Sequence, residues 1–196
     1  MRMNKVGVSA IALASLLMAT GTAAYGQAAH MRWDIISLGG SPTCASAGGI
    51  ASAIAQDGSM IVLHGSGTFV APAGGGGEAS AVTGGGDWET FDASSNSTGS
   101  GTYSVTGLVR WEEAAGTLPI CDNIGNVADV RSGLAVLRIG YSDGSRGVLV
   151  VSCHLPVGAP DTIFEGVRAS KGYVDYWNGT APVPGVDANR TNFHVQ

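Results

Sequence analysis

Lysine is almost missing from this chain: two occur among 196 residues, Lys5 and Lys171, and basic side chains total 10 against 15 acidic ones. A protein so poor in positive charge has no basic face to offer, which argues against nucleic acid or an anionic membrane surface as a partner. Long apolar runs are also scarce. The single one, Val6 to Met18, is about 13 residues and too short to span a bilayer comfortably. No C-x-x-C pair is present among the three cysteines, so a zinc site is not expected and no metal or cofactor is assigned. No helical i, i+3, i+4 stripe extends past about ten residues, which argues against an α or α/β fold.

What is present begins with an export signal. The basic head Met1–Lys5, the apolar run and the small residues through Ala29 have the order of a secretory signal peptide. The expected organisation is therefore a signal peptide over residues 1–29 and one domain over 30–196, exported to a periplasm or to the medium. Loss of Arg2 and Lys5 with the signal leaves eight basic residues against 15 acidic ones, a net charge of −7. An oxidising compartment permits one disulfide. Cys44 and Cys121 lie in loop-like sequence near Pro42 and Pro119 and form the expected pair, while Cys153 sits in a strand pattern and reads as a small buried hydrophobe.

Glycine is abundant, 31 residues, and much of it punctuates strands. Asp57-Gly58 and Asp143-Gly144 each separate two apolar runs, a hairpin signal. With a two-residue loop at the second, Ser142 pairs with Ser145, Ile139 with Val148, Leu137 with Val150 and Val136 with Val151. One face then carries Leu137, Ile139, Val148 and Val150. The other carries Leu134, Val136, Leu149, Val151 and Cys153, with Arg138 among them. Both faces are apolar, so a helix, another sheet or a second copy must cover the outer one, and a homo-oligomer is expected. Between 100 and 113, Tyr103, Val105, Gly107, Val109 and Trp111 alternate with polar residues as the inner face of a half-buried strand. Further strands are expected near 31–38, 48–56, 59–70, 86–92, 163–177 and 190–195, with Gly-rich or irregular loops at 71–86 and 117–132. Eight or nine short strands without a long helix predict an all-β fold, a single antiparallel barrel of about eight strands, with a β-sandwich as the alternative.

Three patterns invite catalytic readings. Gly140-Tyr141-Ser142-Asp143-Gly144 matches G-x-S-x-G, but strand lies on both sides of it where a nucleophile elbow needs a helix, so Ser142 is read as a turn residue. Cys153 and His154 are neighbours in a strand, point to opposite faces and do not form a dyad. His64 and His154 without a carboxylate partner do not make a metal site. Charges inside strand patterns are more informative, because a buried charge must be paired or face a ligand or water. Glu165 and Arg168 are the pair of interest, with Tyr173, Tyr176 and Trp177 close behind. Aromatics with a few placed polar groups line small-molecule sites. The candidate ligand-binding residues are Tyr103, Trp111, His154, Glu165, Arg168 and Tyr173.

Ile163-Phe164-Glu165-Gly166-Val167, followed by Gly172-Tyr173-Val174, resembles the late Phe-x-Gly strand of the allene oxide cyclase and dirigent barrels, and Gly65-Ser66-Gly67-Thr68-Phe69 resembles another phrase of that superfamily. The phrase stands about a hundred residues earlier here than in the family, and no catalytic residue carries over. The resemblance implies an eight-stranded antiparallel barrel, commonly trimeric, with an apolar pocket that steers a reactive small molecule without a cofactor. The sequence thus supports three readings: an exported barrel that holds a small, largely apolar molecule, a cofactor-independent cyclase or isomerase on the same frame, and a structural envelope-associated protein with a filled interior.

Overall fold

Tight Asp-Gly turns between β-rich runs decide the architecture. The structure, a computed structural model, describes residues 28–72, 80–179 and 188–196. The expected signal peptide, apart from its last two residues, and Gly74–Gly77 lie outside the described residues. Among the described residues thirteen strands form one sheet: β1 His30–Gly39, β2 Cys44–Ala47, β3 Ala51–Ala55, β4 Met60–Leu63, β5 Ser66–Val70, β6 Val82–Phe91, β7 Ser97–Ala114, β8 Cys121–Asp122, β9 Val130–Tyr141, β10 Arg146–Cys153, β11 Gly166–Lys171, β12 Val174–Asn178 and β13 Arg190–Val195. Among the described residues the helical content is one 3₁₀ turn, Val127–Asp129, capped by the Asn126 side chain on the Ala128 N–H.

Antiparallel pairings run β9–β10–β11–β12–β3–β4–β6–β7 and return from β7 to β9, so eight strands close into a ring. A second path links β6 to β9 through β5, β1 and β13, again antiparallel. The expected strand 59–70 is broken into β4 and β5 by a bend at His64-Gly65, which lets β6 pair with both. Likewise 163–177 is a hairpin, β11 and β12, turned at Gly172-Tyr173 with Gly172 at φ +60° in the first loop position. The short β2 and β8, unanticipated from sequence, lie parallel to each other over the edge of β1.

The interior holds two aromatic groups. Phe69, Trp111 and Phe193 pack edge-on or tilted, with centroids 4.6–6.4 Å apart. Trp88, Tyr103 and Tyr141 form the second. Around them Ile35, Ile61, Leu63, Leu137, Leu149 and Val151 are fully enclosed. Burial of large side chains at about 1.5–3 kcal/mol each is the main stabilising contribution.

Two register expectations are corrected. In the β9–β10 hairpin, Leu149 pairs with Leu137 and Val150 with Val136, one residue away from the register expected of a two-residue loop. The loop has three residues, Ser142, Asp143 and Gly144. The Tyr141 N–H donates to the Ser145 carbonyl and Gly144 sits at φ +87°. The Asp143 carboxylate accepts from both the N–H and the hydroxyl of Ser145, which holds this longer turn. A slip of one residue exchanges the faces of a strand. Leu149 and Val151 therefore face the core at 0% exposure, and the expected exposed patch that contained them does not exist. In β7, irregularities at Val105/Gly107 and Leu108/Arg110 shift the alternation, so Leu108 turns inward and Val109 is only half-buried.

Candidate functional site

The site forms where the ends of several strands leave an apolar gap. Even-numbered Ile36 and Leu38 of β1 point away from the core face used by Trp33 and Ile35. Across from them the chain leaves β10 as His154-Leu155-Pro156 and re-enters the sheet through Glu165. The connection before β8 contributes Leu118 and Ile120. Together with Arg190 and Thr191 at the start of β13, these residues enclose a cleft of about 550 Å³. That volume is within the range of small-molecule sites.

The lid over this cleft is covalently fixed. Cys44 and Cys121 form the disulfide, with Cα atoms 4.6 Å apart across the β2–β8 pair. It anchors the segment that carries Leu118 and Ile120 beside Thr43, another cleft residue. The Asp122 carboxylate, next to the bridge, accepts from the His194 Nε2–H at 2.6 Å, with both side chains nearly out of solvent. Cys153 is free and buried, and burial raises its thiol pKa well above the ordinary range.

Glu165 is the polar centre of the cleft. One carboxylate oxygen accepts from the backbone N–H of His154 at 2.6 Å and the other from that of Thr191 at 2.7 Å. The Ser152 hydroxyl donates to the Phe164 carbonyl and the Thr191 hydroxyl to the Ser152 carbonyl, so Ser152 ties the backbone just before Glu165 to β13. Burial in this apolar setting raises its pKa to about 7, against the opposing pull of the two N–H groups and the positive charge of Arg190. A carboxyl poised near neutrality beside an enclosed gap has the character of a general acid or base, or of a hydrogen-bonding anchor. His154 lines the same cleft, and its Nε2 is buried without a hydrogen-bond partner. Such an orphaned atom costs about 1–3 kcal/mol unless something binds it.

Of the residues nominated from sequence, His154 and Glu165 are brought together here. Tyr103 and Trp111 are core residues at 4 and 3% exposure, and the Tyr103 hydroxyl donates to the His64 carbonyl. The Arg168 guanidinium lies 4.1 Å from the Phe164 ring centre, and its Nε has no hydrogen-bond partner. Tyr173 is fully exposed at a hairpin tip. His64 does not meet His154; its Nδ1 is bonded to the Gly49 carbonyl at 3.0 Å. Ser142 is a turn residue whose hydroxyl accepts from the Thr102 N–H at 3.0 Å. The aliphatic wall, Thr191 and Arg190 were not anticipated. Their signal was faint: two short alternating strands at opposite ends of the chain, whose pairing places Ile36 against Arg190.

Among the described residues no group of three or more His, Cys, Asp or Glu is placed to hold a metal ion. No described helix is long and apolar enough to cross a membrane. Fold and site define an all-β protein whose closed sheet carries a disulfide-lidded apolar cleft around one buried acid. Comparison with protein-family models, with curated proteins and with solved structures returned no match.

Proposed function

We propose that this is an exported β-barrel protein that holds a small, largely apolar molecule in the cleft around Glu165. The observation that carries the reading is the buried carboxyl of Glu165, raised to about 7, inside an aliphatic enclosure of Ile36, Leu38, Leu118, Ile120 and Leu155. An apolar wall with few polar groups suits a hydrocarbon body with one polar end. Glu165 receives that end, with the unpartnered Nε2 of His154 buried in the same wall. The disulfide accords with an oxidising compartment. Native mass spectrometry of the protein from its own source tests the reading. A small organic adduct that organic extraction removes, and that 1-decanol restores in one-to-one ratio, is expected. A bare mass that 1-decanol leaves unchanged contradicts it.

The unpartnered His154 Nε2 next to a neutral-range Glu165 favours a second reading, cofactor-independent isomerisation or cyclisation. Glu165 would take a proton from carbon and return it at another atom, while His154 hydrogen-bonds to the oxygen that gains charge. Exchange of the α-hydrogens of cyclohexanone with deuterated water is a probe of that chemistry. Accelerated exchange that Glu165→Gln abolishes supports it, and exchange at the buffer rate counts against it.

A further inference from the structure

Trp33, Trp88 and Trp111 are buried at 0, 5 and 3% exposure, but Trp177 is 45% exposed and Tyr173 99%. Two features of β12 put these rings outside. Tyr176 pairs with Ala55 and Asn178 with Ile54, so two steps on β12 match one step on β3 and Trp177 is the extra residue of a β-bulge. Bulges bend a strand and re-aim the side chain they release, and they are common beside functional sites. Tyr173 stands in the Gly172-Tyr173 loop at the other end of the strand. Exposed Asp175 lies between the two aromatics, and Asp57 faces them from the β3–β4 turn. The result is an open groove of about 810 Å³ whose lining contains both aromatic rings, both aspartates and no basic side chain.

This groove shares no lining residue with the cleft around Glu165. Neither ring joins the hydrophobic core, and both leave apolar surface in water. Its chemistry is one-sided. Carboxylates repel anions, and the negative faces of the rings add to that preference. The Asp57 carboxyl is held below its usual range by hydrogen bonds from Ser59, which keeps it ionised to low pH. A small inorganic cation holds its water too tightly to lie on a ring. An alkylated ammonium is weakly hydrated and rests on Trp and Tyr faces by cation–π attraction.

We propose that the groove between Trp177, Tyr173, Asp175 and Asp57 is a binding site for organic cations that carry a methylated ammonium group. The site is open, so affinity lies in the millimolar range, and on a multivalent surface several such contacts add up. Both the positive charge and the methyl groups are required, since the carboxylates read the first and the rings the second.

The test uses the full exported chain and choline, read by saturation transfer to the choline methyl protons and, independently, by the emission of Trp177. Saturable binding of choline and of tetramethylammonium is expected at constant ionic strength, with none for 3,3-dimethyl-1-butanol, the uncharged isostere. Trp177→Ala should weaken choline binding about fivefold or more, and Asp175→Asn should weaken it at low salt. Because both side chains are exposed, the melting temperature of each variant should match that of the parent. Equal binding of the uncharged isostere, binding unaffected by Trp177→Ala, or no saturable response overturns the proposal. So does binding of cellobiose in place of choline, which would make the rings a sugar platform.

Discussion

Thr191, the second residue of β13, donates its backbone N–H to the Glu165 carboxylate at 2.7 Å. This bond ties β13 to the entrance of β11 and fixes the acid at the mouth of the cleft. It also explains why Thr191 is hard to see in sequence as a site residue, because it stands 26 residues from Glu165 and no local pattern joins the two.

The first prediction concerns pH. Glu165 titrates near 7 in the folded protein and near 4.3 in an unfolded chain. Between those values the folded state keeps a proton that the unfolded state has lost, so stability falls as pH rises through the window. The effect is absent below about pH 4 and complete above about pH 7, and is on the order of 4 kcal/mol. Urea unfolding of the parent and of Glu165→Gln at pH 4.5, 6 and 7.5 checks this. The parent-specific decline should vanish in the variant, and parallel pH curves would refute the assignment.

The second concerns the disulfide. Closing a loop across 77 residues restricts the unfolded chain by about 4 kcal/mol in the chain-entropy account. Cys44→Ser with Cys121→Ser should lower stability on that order and weaken retention of a cleft ligand, since Thr43 and Ile120 line the cleft. Native thiol labelling should leave Cys153 untouched in both proteins. Rapid native labelling of Cys153 would contradict its enclosure.

The third separates the two faces of the β9–β10 hairpin. Val151→Lys places an ammonium at a site with no solvent exposure and should abolish the folded sheet. Val136→Lys, half-buried on the opposite face, should leave it intact and disperse any assembly of copies through that face. Circular dichroism with light scattering decides. Similar folding of both variants would contradict the register.

The fourth concerns the turn itself. Ser142→Ala removes one hydrogen bond to the Thr102 N–H and should cost about 1 kcal/mol, with no effect on the cleft. Gly144→Ala puts a β-carbon on a residue at φ +87° and should cost about 1–2 kcal/mol more. Thermal melts give both numbers, and loss of cleft binding in Ser142→Ala would reopen the hydrolase reading.

The strand content and the disulfide were legible because each depends on local pattern. Alternation at Tyr103–Trp111 and the Asp-Gly turns announce strands, and loop-bound Cys44 and Cys121 announce a bridge. Register was not legible at Asp143-Gly144, because Asp143 can cap Ser145 only in the longer loop and that contact is invisible until the turn is built. The same turn occurs at Asp57-Gly58, where Asp57 caps Ser59 and Gly58 sits at φ +86°. Asp-Gly-Ser is therefore the signal that distinguishes three residues from two in this chain. His154 and Glu165 stood out as polar groups in apolar strands. The aliphatic wall did not, because Ile36, Leu118 and Leu155 look like ordinary core residues until the sheet closes.

A cleft around Glu165 that takes a small apolar guest should bind an apolar dye at one site. An uncharged apolar fluorophore, 1-aminoanthracene, is added to the parent and to Leu118→Trp, whose added ring fills the cleft from the half-buried lid. One saturable site in the parent, absent from a variant with an unchanged melting temperature, is the predicted result. Equal binding to both proteins, or no saturable binding to either, would mean that the cleft holds no such guest.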